Sequence, residues 1–230
     1  MTSPQQPRGP RRSKFLVRNA SGADLQAALA SESDIVCVDL EDTVEDKAAA
    51  RALAASLKGV QCRAELSLRL NALSTEEGLR DLLMLKEWSW RPPIVVLTKV
   101  EDPYEVALAG SLLKGVELYA IIETARGLQL AESIGKASSA VSALLLGGKD
   151  LSHALGCARN WEGLAYARGR LIHAAALAGV EAHDEPYRPL EDLEGLAETC
   201  RKARAMGYAG KATVDLRHVP VINALFSKTA

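Results

Sequence analysis

Short runs rich in valine, isoleucine and leucine recur along this chain at a steady beat, and a longer stretch with helical spacing follows each. The runs are KFLVRN, DIVCVDLED, LSLRLN, IVVLTK, LYAIIET, ALLLGGKD, GVEAHDE and KATVDLR. Apolar residues at three- and four-residue intervals predict helices over residues 45–57, 76–86, 104–113, 128–135, 163–178 and 193–205. Such alternation points to a parallel sheet covered by helices, the α/β class. Eight units in a chain of 230 residues fit a single closed (β/α)8 TIM barrel, somewhat short for that architecture. An open doubly wound sheet is the alternative, because periodicity counts units without showing closure. The barrel is expected over residues 13–230, with no linker dividing it.

Residues 1–12 read as a disordered basic tail. Arg11 and Arg12 are not followed by the apolar segment that an export signal requires. With 28 basic against 29 acidic residues, nothing favours a general nucleic-acid or membrane-surface binder. No apolar run is free enough of charge to span a bilayer. Cys37, Cys62, Cys157 and Cys200 are far apart and form no CxxC pair, which argues against a zinc or redox motif and for a reduced, cytoplasmic setting.

A barrel directs attention to the C-terminal ends of its strands, where catalytic groups of such folds collect. The runs end in Arg18 and Asn19; Asp39, Glu41 and Asp42; Arg69 and Asn71; Lys99 and Glu101; Glu123; Lys149 and Asp150; His183 and Asp184; and Asp215. Each strand is therefore expected to deliver a polar group to one charged rim. The acids of VDLED would repel one another there unless cations, amides or water compensate them. Glu123 and Asp150 end consecutive strands and are candidates for a Mg²⁺ pair, since that ion takes one or two carboxylates together with water and substrate oxygens. Salt bridges to Lys99 or Lys149 are the structural alternative. Arg69 can hold a carboxylate through two parallel hydrogen bonds, or partner the VDLED acids, or both. Gly147 and Gly148 permit a close backbone approach before Asp150. No nucleophile elbow, P-loop or dinucleotide fingerprint is present.

Taken together, VDLEDTVEDKAAAR, LRLN, IIETARGL, LLLGGKDLSHALG and the segment from LIHAAALAGVEAHDEPYRPL to GYAGK resemble the citrate lyase beta subunit and its relatives in the aldolase/citrate lyase superfamily. The resemblance implies a (β/α)8 barrel, commonly a homotrimer or a multiple of it. It also implies metal-dependent cleavage or formation of a carbon–carbon bond beside a carbonyl. By the same resemblance Glu123 and Asp150 are the Mg²⁺ ligands, and Arg69 takes the carboxylate of an oxo acid such as oxaloacetate, pyruvate or glyoxylate. Gly148 and Lys149 join Arg69 in substrate binding, and Asp39, Glu41 and Asp42 serve the catalytic mouth by positioning Arg69 or metal-bound water, or by proton transfer.

Three departures from the family pattern bear on the second fragment. Arg18-Asn19 replace a Pro-Gly turn, Val214-Asp215-Leu216 replace isoleucine-histidine-proline, and the chain is expected to lack the C-terminal segment that caps the site in longer relatives. The turn and the cap help to hold a coenzyme A thioester in the family. The readings are thus a lyase using a CoA or acyl-carrier thioester, an aldolase acting on a small free hydroxy-oxo acid, and a non-catalytic barrel subunit of a larger complex.

Overall fold

The computed structural model describes residues 9–19, 21–41 and 44–227. Eight strands, β1 (Ser13–Val17), β2 (Ile35–Asp39), β3 (Glu65–Arg69), β4 (Ile94–Leu97), β5 (Glu117–Ile122), β6 (Val141–Leu146), β7 (Glu181–Asp184) and β8 (Gly210–Thr213), pair in chain order. The last closes on the first in parallel, with Lys14 beside Ala212. That closure decides for the barrel over the open sheet. The helices are α1 (Gly22–Leu29), α2 (Lys47–Ala55), α3 (Glu76–Glu87), α4 (Pro103–Leu112), α5 (Ala125–Gln129), α6 (Ala131–Lys136), α7 (Gly148–Leu155), α8 (Ala165–Ala178), α9 (Leu193–Met206) and α10 (His218–Phe226).

Local chemistry sets the helix ends. Asp46, Thr75, Thr124 and Asp192 each accept a backbone N–H in the first turn of α2, α3, α5 and α9, and Asp102 with Glu105 forms a reciprocal capping box on α4. The predicted helix over residues 128–135 is two short pieces, α5 and α6, broken at Leu130. The strands are buried on both faces, so they read as near-continuous apolar runs. Ile35 and Cys37 of β2 join Ile94, Val96, Tyr119, Ile121, Ala143 and Leu145 inside the barrel, while Val36 and Val38 pack outward against the helices.

Arg11 and Arg12, expected in the basic tail, are both held by the barrel. Arg11 is buried and its guanidinium bridges Glu65 of β3 and Glu117 of β5 at the N-terminal end of the barrel, 5.9 Å from the Tyr119 ring centre. Arg12 holds Asp34 through its backbone N–H and its side chain, and donates to Ser227 beyond α10. These contacts tie the approach to β1 to the rest of the barrel. Residues 1–8 lie outside the described ones.

His183 is also misplaced by the pattern. It is fully buried within the barrel, its ring centre 5.5 Å from that of Tyr119 and its Nε2 3.3 Å from Glu181, so it faces the Arg11 end and not the rim. The strand residue whose position the rim reading needed is its neighbour Asp184, and that carboxylate is engaged by Lys211 and by Arg168.

Removing one partner of a buried ion pair leaves an uncompensated charge. Arg11→Ala is expected to destabilise the barrel by about 2–3 kcal/mol, below the ~3–5 kcal/mol of a fully buried pair because both glutamates keep some solvent. Urea denaturation measures it, and adding Glu117→Gln should recover part of the loss.

Candidate active site

A cavity of about 320 Å³ opens at the C-terminal ends of the strands. A larger depression of about 690 Å³ lies at the opposite, Arg11 end, where barrels of this kind concentrate stability and not chemistry. The former is lined by Arg69, Glu123, Gly148, Lys149 and Asp150 among the sequence-predicted residues, with Leu16, Ile121, Leu145 and Val214 as apolar walls.

Arg69 is held before any ligand arrives. Asp39 faces it across the β2–β3 register and accepts from its Nε at 2.7 Å and its Nη2 at 2.6 Å, while Nη1 lies 3.3 Å from Glu41. Burial opposes the guanidinium charge, but Asp39 and then Glu41 outweigh it and keep the group protonated. The side-on fork, Nε and Nη2, is therefore engaged by Asp39. Asp39 is fully buried and also accepts the Glu41 N–H at 3.0 Å. Glu41 is matched by Lys99 Nζ at 2.7 Å. Asp42 lies outside the described residues. The crowding of acid in VDLED thus has its counter-charges in Arg69 and Lys99. Asn71 is structural: it donates to the Leu40 carbonyl and to Asp81 at the end of β3.

Glu123 follows β5 and is 5% exposed. Burial, then repulsion from Glu41, pushes its carboxyl up from 4.5 to about 7, against the opposing pull of the Lys99 N–H and Arg69. Lys99 contributes that N–H, at 2.7 Å from Oε1, from a left-handed backbone with φ +49. A non-glycine residue there is strained, and such strain concentrates at functional positions. Gly147 and Gly148 are required sterically: a Cβ at Gly147 would overlap Glu123, and one at Gly148 would overlap the Glu185 carboxylate. Asp150, in the first turn of α7, keeps a side chain 30% exposed, 3.9 Å from Lys149 Nζ. Lys149 itself is largely exposed.

A buried carboxylate raised this far lacks a cation, and a divalent ion beside it would relieve both its burial and its repulsion. Among the described residues no three His, Cys, Asp or Glu side chains are arranged so as to hold a metal ion by themselves. The donor set is two carboxylates facing an open cavity, which fits Mg²⁺ and its preference for water and substrate oxygens at the remaining positions. Three cations were not read as site residues from the pattern or were named only as rim: Lys14, Arg18 and Arg188 also line the cavity. Lys14 was legible as a lysine at an inward position of an otherwise apolar strand. Asp215 departs from the expected rim, turning to Arg217, which also binds Glu191.

A closed parallel barrel that gathers a carboxylate pair and a fixed guanidinium at its strand ends is the layout of a (β/α)8 enzyme for small anionic substrates. The chain belongs to the HpcH/HpaI aldolase/citrate lyase family, whose model matches residues 12–215. It is 29% identical over 224 residues to a (3S)-malyl-CoA thioesterase of Cereibacter sphaeroides, covering 95% of this chain and 78% of the relative. RipC of Yersinia pestis superposes with a TM-score of 0.84 at 34% identity, covering 95% of this chain and 96% of that one. The citrate lyase beta subunit of M. tuberculosis, solved with oxaloacetate and magnesium, gives 0.82 at 26% identity, with 96% and 99% covered. No helix among the described residues is long and apolar enough to cross a membrane.

Glu123 inverts the usual carboxylate linkage. Its folded value lies above the ordinary one, so the native state holds an extra proton between pH 4.5 and about 7, and its contribution to stability falls as pH rises through that window. Metal-free Glu123→Gln is therefore expected to be more stable than wild type at pH 8, by up to about 2–3 kcal/mol at ~1.4 kcal/mol per unit, with the gap shrinking at pH 5. Thermal melts at the two pH values check this. Millimolar Mg²⁺ should reverse the order at pH 8.

Proposed function

We propose that this chain is a Mg²⁺-dependent carbon–carbon lyase that cleaves or forms the bond between an oxo acid and the carbon beside a thioester carbonyl. The observation that carries the reading is the meeting, in one cavity, of the cation-deficient Glu123, the half-exposed Asp150 and the pre-oriented Arg69. Glu123 and Asp150 would hold the metal, which supplies a Lewis acid for a carbonyl oxygen and for the negative charge that develops when the bond breaks. Arg69 binds the oxo-acid carboxylate through its outer N–H groups and adds a fixed positive charge. Asp39 keeps the guanidinium in place, and Glu41 with Lys99 completes that ion-pair chain. Gly148 opens α7 and presents backbone to the ligand, with Lys149 at the edge.

The thioester half of the reading has support at the mouth. Arg18, in place of the family's proline, lines the cavity with Arg188, and neither guanidinium meets an acid among the described residues. Burial, and repulsion from Arg18 and then Arg159, lowers the Arg188 value. Two cations facing one another in this way favour an anionic tail, such as the phosphates of coenzyme A. The relatives named for malyl-CoA and for oxaloacetate point to the same pair of fragments. We place the chain in the cytoplasm as a homo-oligomer, a trimer or a multiple of it. Exposed Leu79 and Leu83 on one face of α3, with Tyr104 at the start of α4, support that assembly, and light scattering at micromolar concentration should return a mass above one chain.

The test is turnover of malyl-CoA and citryl-CoA, and the reverse condensation of acetyl-CoA with glyoxylate or oxaloacetate, followed by mass spectrometry with Mg²⁺ and with chelator. Chelation should abolish activity. Arg69→Lys keeps the charge but loses the planar fork, so kcat/KM should fall roughly 30- to 150-fold, the equivalent of about 2–3 kcal/mol. Release of CoA with the carbon skeleton intact would make the chain a thioesterase, and no turnover of any pair would leave the non-catalytic reading.

A further inference from the structure

Along β1 and the residue after it, three side chains face the cavity: Lys14 at the floor, Leu16 above it and Arg18 at the mouth. Lys14 is 4% exposed, and its ammonium meets no acid or hydrogen-bond acceptor among the described residues. The groups that act on it electrostatically are Cys37, Arg69, Glu123 and Asp39. Burial holds it down at about 8, with Arg69 opposing its charge and the three acidic groups favouring it.

The acids around it are already matched. Asp39 and Glu41 face Arg69 and Lys99, Asp184 faces Lys211 and Arg168, and Glu185 faces Arg159 and Arg168. A divalent ion on Glu123 and Asp150 would match that pair in turn. Lys14 then remains a buried cation whose opening is the cavity, and a buried charge without a partner is unfavourable until a counter-ion reaches it. Packing does not call for it, since the neighbouring inward positions are filled by Ile35, Ile94 and Ala143.

We propose that Lys14 forms a floor subsite for a second carboxylate, so that the oxo acid this chain takes is a dicarboxylic one, held by Arg69 at one end and Lys14 at the other. The inference rests on the lyase reading above and narrows it. Pyruvate and glyoxylate carry one carboxylate and leave Lys14 unmatched. Oxaloacetate is pyruvate with one more carboxylate, and it matches both cations.

The experiment is calorimetric titration of the Mg²⁺-loaded protein with fresh oxaloacetate and with pyruvate, for wild type, Lys14→Met, Lys14→Gln and Arg69→Ala. Wild type should prefer oxaloacetate by about tenfold or more, the scale of one charge-assisted hydrogen bond. Both Lys14 variants should lose that preference by weakening oxaloacetate alone, whereas Arg69→Ala should weaken both acids. Lys14→Met should also melt at or above the wild-type temperature, since an unmatched buried charge is gone; the glutamine variant serves if methionine does not fold. Retention of the preference in a folded Lys14 variant, or equal binding of the two acids by wild type, would overturn the proposal. Binding of neither acid by wild type would remove the lyase reading itself, and this inference with it.

Discussion

The ion pair between Asp39 and Arg69 organises the charged end of this barrel. The two residues are opposite one another in the parallel register of β2 and β3, so strand pairing itself brings them together. Once the guanidinium is fixed, Glu41 has one cation and Lys99 provides the second, and the Lys99 backbone in turn reaches Glu123. Four strands are thereby linked through charge, from β2 to β5. Such a chain of partly buried pairs does not by itself argue for stability, because desolvation offsets much of its attraction. What it does provide is a single arrangement of donors around the cavity, prepared before a ligand arrives.

The same rule governs the other end with the opposite outcome. At the Arg11 end one buried guanidinium is shared by Glu65 and Glu117, both of which keep contact with solvent. At the Glu123 end burial, and then repulsion from Glu41, hold one carboxyl above its ordinary value. A guanidinium thus sits between the carboxylates at one end of the barrel, and a carboxyl of raised value is tolerated at the end where chemistry is expected.

The sequence made the eight units legible because strand and helix differ in period, and it made the order of the motifs legible because each falls at a strand end. Closure was not legible, since the β1–β8 pairing joins segments almost two hundred residues apart and leaves no local trace. Position on the rim was legible for Arg69, Glu123 and Asp150, but not for His183, because a four-residue strand does not reveal how deep in the barrel each of its inward side chains sits. The splitting of residues 128–135 into α5 and α6 was hidden by apolar spacing that continues through the break. Arg11 looked like part of a basic tail because its partners are supplied from β3 and β5, far along the chain.

Lys99 shows a further kind of invisibility. Its backbone N–H, turned by a left-handed φ, holds the carboxylate of Glu123. The contact belongs to the shape of the main chain and would survive replacement of the amine. A residue-by-residue comparison of relatives would therefore score position 99 by its side chain and miss the part of it that holds Glu123. Anyone rebuilding this barrel for another substrate would have to conserve a bend there, for which asparagine or glycine, both at ease in that conformation, would be natural carriers.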